Sequence, residues 1–201
     1  MPRQVDQAER REVMSEAVWR VVSERGLERL TLRAVAAAAG CTTGMVTHYF
    51  RDKKALLTHA RSVMHRRMAD RIDALPAHGT ARDMLHSVAE QALPLDAERR
   101  LETVVWAHFQ LSTRIDPDLL HQHTVSHAFW VRRLTGLVRD ALPGPEPQDL
   151  EWRVQILVAC LDGLAINAVT DPGAYPPELQ RQVLATQLDL ILQPSEGTRA
   201  S

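Results

Sequence analysis

The sequence predicts an all-α protein, and three observations carry that expectation. Apolar residues recur at helical spacing in segment after segment, as with Met14, Ala17, Val18, Val21 and Val22. Nothing alternates with period two over a useful length, so no sheet is expected. Glycine and proline punctuate the chain at helix-length intervals, at Gly26, Gly40, Pro76, Pro94, Pro117, Pro143 to Pro147, and Pro172-Gly173. The architecture they imply is a small three-helix head at the N-terminus, followed by a helical bundle.

The head is the most informative part. Its first helix is expected from Asp6 to Arg25 and is ended by Gly26, after which Leu27 and Leu30 lead back into the core. Thr31 can cap a second, short helix, its hydroxyl accepting from a first-turn N–H. Leu32, Val35, Ala36 and Ala39 give that helix its inner face. Gly40 falls where the chain must turn, and a glycine takes a left-handed conformation there without strain. Thr42 can cap the next helix, which carries Thr43, Gly44, Met45, Thr47 and His48. Helix, tight turn and helix in this order read as a helix-turn-helix, which lays its second helix in the major groove of DNA.

The stretch AGCTTGMVTHYFRDKKALL, through Ala39, Gly40, Cys41, Thr42, Gly44, Tyr49, Phe50, Lys53 and Leu56, resembles the signature of the TetR family of one-component repressors. The chain departs at Thr47, where most members carry a tyrosine that touches phosphate. A small hydroxyl followed by His-Tyr-Phe-Arg-Asp-Lys is similar to the BetI-like branch of that family. The resemblance covers roughly the first 60 residues. It implies a DNA-binding head over residues 1–51, a helical ligand-binding and dimerisation domain over 52–193, and a disordered tail over 194–201.

Candidate DNA contacts follow. Thr42, Thr43, Gly44, Met45, Thr47, His48 and Tyr49 supply hydroxyls, an imidazole and methyl groups suited to phosphates, base edges and thymine methyls. Thr31 and Arg33 are expected backbone contacts from the preceding helix. Lys53 opens the long helix that Asp52 caps, and its ammonium with the free N–H groups there can hold a phosphate.

That long helix is expected to reach about Leu75, and five more should follow: Thr80 to Leu93, Asp96 to Ile115, Asp118 to Leu142, Gln148 to Thr170, and Pro177 to Gln193, the last opening on a proline suited to a first helical turn. The helix from Gln148 is apolar on almost every side, and such a helix must be covered all round. A partner subunit is the economical cover. Leu157, Cys160, Leu161, Leu164, Leu184, Leu188 and Ile191 are the expected dimer interface, with Ala159, Gly163 and Ala165 permitting close approach. Met64, Met68, Trp106, Phe109, Gln110 and Trp130, with Phe129 nearby, combine apolar lining with an amide anchor and are the expected wall of a small-molecule pocket; plain core packing is the competing reading residue by residue.

Composition limits the alternatives. Apolar residues are 45% and charged residues 24% of the 201, an ordinary globular balance. No apolar run approaches the roughly 18–20 residues of a membrane span, and MPRQVDQAERRE is too polar for a secretory signal, so a cytoplasmic protein is expected. The net charge of −1 divides unevenly: residues 1–55 carry 10 Lys and Arg against 7 Asp and Glu, and the remainder 14 against 18. A basic head on an acidic body fits DNA binding at one end. Cys41 and Cys160 form no disulfide framework, and His121, His123 and His127 lack the further ligands of a zinc site. No nucleophile motif, P-loop or dinucleotide glycine pattern is present. The expectation is a non-enzymatic, ligand-responsive repressor without cofactor or metal, binding a palindromic double-stranded operator as a homodimer and released by a small-molecule effector. The rival is a helical carrier or enzyme that binds a small molecule without recognising DNA.

Overall fold

Each helix of the computed structural model begins or ends on a local chemical signal. Residues 2–76, 79–142, 144 and 147–194 are described. The helices are α1 (Pro2–Arg25), α2 (Leu32–Ala38), α3 (Thr43–Tyr49), α4 (Lys53–Asp73), α5 (Ala81–Glu90), α6 (Ala97–Ser112), α7 (Pro117–Ala141), α8 (Pro147–Thr170) and α9 (Pro177–Ile191), with a 3-10 turn at Leu27–Arg29. No strand occurs among the described residues.

The caps are those the residue types dictate. Thr31 Oγ1 accepts from Ala34 N at 3.0 Å and Thr42 Oγ1 from Met45 N at 3.1 Å. Between them Gly40, at φ 66°, ends α2: Cys41 N donates to Ala36 O at 2.9 Å and Gly40 N to Ala37 O at 3.3 Å, the paired bonds of a Schellman turn. Asp52 Oδ1 accepts from Ala55 N at 2.7 Å and starts α4. Thr80 and Asp83 form a reciprocal capping box on α5, and those bonds hold the Asp83 carboxyl below its usual range. The turn expected at 76–79 and the Pro143 to Pro147 stretch fall largely outside the described residues, as does the expected tail from residue 195 on.

The chain divides into two compact units. The first comprises the residues up to Arg71 together with Leu101–Leu119. Its core joins Val18, Trp19 and Val22 of α1 to Val35, Val46 and Phe50 of the head, to Leu56, Ala60 and Met64 of α4, and to Val105 and Phe109 of α6. Trp19 Nε1 donates to the Ala60 carbonyl at 3.2 Å, and the Arg67 guanidinium lies 5.0 Å from the centre of the Trp19 ring. Compactness therefore does not break the chain at residue 51, because α4 is part of the same core as the three head helices.

The second unit comprises Ile72–Arg100 and the residues from Leu120 onward. Leu85 and Ala89 of α5, Leu134 and Val138 of α7, Val154, Leu157, Leu161 and Leu164 of α8, and Leu184, Leu188 and Ile191 of α9 close on one another. Arg153 donates through Nη1 to the Ile191 and Gln193 carbonyls, satisfying acceptors that the end of α9 leaves free.

One expectation, that of the dimer interface, is corrected here. By length and composition α8 could cross a membrane, the most apolar 18-residue window within Gln148–Thr170 having a mean hydropathy of 1.4. Arg153 and Asp162 interrupt its apolar residues, so it escapes notice as an unbroken run. It is nonetheless a packed helix on one side, where it meets the core just described. For the same reason Leu157, Leu161, Leu164, Leu184, Leu188 and Ile191 are not a surface a partner can meet: their own chain buries them, Leu161 to 1% and Leu164 to 6% exposure. Cys160 is half-buried, and burial pushes its thiol pKa up.

Candidate nucleic-acid interface and effector-binding residues

The amphipathic division of α3 is what exposes its recognition residues. Val46 and Phe50 are buried in the core of the first unit. Thr42, Thr43, Gly44, Met45, Thr47 and His48 are all exposed, Tyr49 is half-buried, and the His48 and Tyr49 rings meet edge-to-face at 5.3 Å. A Cβ added at Gly44 would come no nearer than 3.8 Å to any neighbour, Thr42 Oγ1. Nothing inside the chain demands a glycine there, so its missing side chain matters only to what approaches from outside.

Thr47 turns inward. Its Oγ1 donates to the Gly44 carbonyl at 3.0 Å, so the hydroxyl offers lone pairs rather than a proton to the exterior. Thr31 and Arg33 are exposed at the start of α2. Lys53 has an internal partner that its sequence position does not reveal: Nζ donates to the Leu27 carbonyl at 3.2 Å and ties the start of α4 to the 3-10 turn. Lys54 beside it is paired with Asp118 and lies 3.8 Å from Asp116.

Two basic residues escaped the sequence reading. Arg51 is exposed immediately before α4, in an ion pair with Asp52 at 3.1 Å; its place directly after the recognition helix was the available signal. Arg20 donates from Nη2 to the Ala38 carbonyl at 2.8 Å and fixes the end of α2 to α1. No local pattern announces that bond.

The expected pocket residues are divided between the two units. Met64 and Phe109 are buried in the first core, Trp106 packs against it half-buried, and Met68 and Gln110 are half-buried. Trp130 belongs to the second unit and packs against that core. Phe129 is exposed. A groove of about 260 Å³ in the second unit is lined by Val131, Thr135, Arg139, Leu150, Glu151, Val154 and Gln155, none of them expected ligand contacts. His123 and His127 stack at 5.5 Å, and among the described residues no three or more His, Cys, Asp and Glu side chains gather as a metal site would require. Burial raises the Asp162 carboxyl pKa, and His127 opposes that shift.

Comparison with known proteins assigns the fold to a family. A profile described as bacterial regulatory proteins, tetR family, matches residues 16–60. A second, described as BetI-type transcriptional repressor, C-terminal, matches residues 81–193, more than half of the chain. The chain belongs to the TetR family. Within it the match lies close to the BetI branch, and this TetR-family protein is a ligand-responsive DNA-binding transcriptional regulator. It is 28% identical over 197 residues to the HTH-type transcriptional regulator PksA of Bacillus subtilis, covering 95% of this chain and 94% of that one. The crystal structure of a transcriptional regulator from Rhodococcus sp. Rha1 superposes with a TM-score of 0.82 at 30% identity, covering 91% of this chain and 96% of that one. A regulator from Saccharomonospora viridis, crystallised in complex with choline, superposes equally well at 0.82 with 23% identity, covering 90% and 96% of the two chains.

Proposed function

We propose that this TetR-family regulator is a cytoplasmic repressor that binds a palindromic operator as a homodimer through α3 and leaves it when a small molecule binds. The observation that carries the reading is the run of exposed residues from Thr42 to His48 on a helix whose opposite side, at Val46 and Phe50, is locked into the core. A rigid helix presenting hydroxyl, methyl and imidazole groups from its N-terminal turns matches the chemistry of base-edge and phosphate contact. Thr31, Arg33 and Arg51 would position the duplex by its phosphates. The test is a mobility shift with the full chain on DNA upstream of its own gene. Binding no tighter than to an unrelated duplex would overturn the reading.

The dimer rests on what α8 and α9 leave uncovered. Trp152 (69% exposed), Ile156 (50%), Ala159, Gly163 and Ile166 follow one another at spacings of four, three, four and three along α8. That is the stripe by which two helices pack, with small residues in its middle to admit close approach. Leu179 and Leu190 add exposed apolar surface on α9. A second copy meeting this stripe would complete the cover that an apolar helix needs.

The effector would bind in the first unit among Met64, Met68, Trp106, Phe109 and Gln110, where α4 supplies one side and α6 the other. Because α4 starts beside α3 and continues past these residues, a ligand that favours another setting of α4 also resets the recognition helix. It can do so only by its difference in affinity for the two settings.

A further inference from the structure

Four arginines on α4 point into or along the first unit, and three have carboxylates. Arg66 pairs with Glu12 at 2.7 Å, Arg67 with Glu16, and Arg71 with both oxygens of Glu102 at 3.0 and 2.6 Å. The fourth, Arg61, is buried more deeply than these, at 3% exposure, and among the described residues no carboxylate reaches it. Its Nε donates to His65 Nε2 at 3.3 Å, its plane lies over the Phe109 ring 5.7 Å from the centroid, and its Nη1 is buried without a hydrogen-bond partner.

A guanidinium remains charged under any physiological condition, so it cannot relieve this burial by losing its proton. A buried charge without a counter-charge is retained at a cost in stability, and neither the His65 ring nor the Phe109 face that it meets brings a negative charge. An anion from outside would. A carboxylate matches the planar fork through two parallel bonds, and it brings one charge to one cation. A phosphate would bring a second charge into apolar surroundings.

We propose that Arg61 is the anchor of an effector site in the first unit whose ligand is a small carboxylate with an apolar body, the carboxylate held by the guanidinium and the body lying against Phe109. The proposal rests on the reading that the effector binds between α4 and α6, and it names the ligand class. Nη1 is closed to solvent here, so the carboxylate enters only when the packing around it opens. Pairing therefore favours a conformation other than this one, and α4 transmits that preference to the turn that carries Lys53 and α3.

The test is calorimetry on the full-length protein with benzoate and octanoate, against benzyl alcohol, octanol and choline. At least one carboxylate should bind, its matching alcohol at least ten-fold more weakly, and choline should not compete. Arg61→Met, which keeps the length of the side chain without the charge, should lose at least ten-fold in carboxylate affinity. Arg61→Lys keeps the charge without the fork and should lose several-fold, which decides the matter should the methionine variant fail to fold. Neither carboxylate binding, choline binding in their place, or undiminished affinity in a folded variant would each overturn the proposal. A mobility shift of the wild type without any probe is run separately: its failure counts against the regulator reading and leaves the calorimetry to judge Arg61.

Discussion

Thr43 and His48 are exposed on α3 and neither belongs to the buried core, so shortening them should change recognition and leave folding alone. The double substitution Thr43→Ala, His48→Ala should weaken operator binding by about 1–3 kcal/mol for each contact that reads a base, with unchanged helical circular dichroism. Equal affinity in the double variant would mean that another face of the head enters the groove. Lys53→Ala should behave differently on two counts. Loss of the bond to the Leu27 carbonyl should cost about 1 kcal/mol of stability, seen as a lower melting temperature. Loss of a cation beside the helix start should make binding less salt-dependent for every duplex alike. His59 sets the response of the same unit to acid. Burial lowers its pKa from the usual 6.5, Arg11 and Arg66 add to the shift and Glu12 opposes it, while Ser15 Oγ lies 2.9 Å from Nδ1. A histidine held neutral in the fold contributes stability in full above its unfolded value, and that contribution is lost as pH falls through the lowered folded value. Melting temperature should therefore fall between about pH 7 and pH 5, and His59→Gln should flatten that fall.

At the scale of elements, α8 should separate folding from association, because one side packs in the core of its own chain and the other is the exposed stripe proposed to meet a second copy. Leu161 and Leu164 face the core of their own chain, and a glutamate at Leu161 would put an unpaired carboxylate there at a cost of several kcal/mol. Unfolded or aggregated chain is the expected product. Ile156→Glu places the same charge on the exposed stripe, where a monomer tolerates it and a dimer does not. Sedimentation of the folded Ile156→Glu chain should show half the wild-type mass; an intact dimer would move the interface off this stripe. The turn between α2 and α3 has its own sensitive point. Gly40 sits at φ 66° with nothing within 4 Å of an added Cβ, so space is no obstacle and conformation alone opposes a side chain. Gly40→Ala should cost about 1 kcal/mol, read as a fall in the thermal midpoint.

For the whole molecule the consequence of pairing two chains is geometric. A two-fold dimer holds its two recognition helices at one separation and one relative angle, so both fit only half-sites at a set spacing. Inserting about 5 base pairs, half a turn of B-DNA, between the operator half-sites should abolish high-affinity binding by the wild type. The Ile156→Glu chain, binding one half-site at a time, should be indifferent to the insertion. Tight wild-type binding on both spacings would argue for recognition by single chains.

The head was legible because its signals lie within a few residues of what they control. Thr31 and Thr42 cap through bonds three residues on, and Gly40 ends α2 through bonds spanning three and five residues. Helix type and number elsewhere followed from apolar spacing and proline positions in the same local way, with ends displaced by only a few residues. The facing of α8 could not be read so. A helix apolar on nearly every side has no periodic contrast to orient it, and the side that turned inward was chosen by Leu85, Leu134, Leu184 and Leu188, far off in sequence. Lys53 and Arg61 were likewise decided at a distance: one reaches a carbonyl 26 residues away, and the other lies over a ring on α6 with no carboxylate brought to it. In the sequence both are simply basic residues on a long helix. Which charges are paired, and which apolar side chains a chain covers for itself, are properties of packing, because burial and counter-charge are supplied by whatever the fold brings alongside.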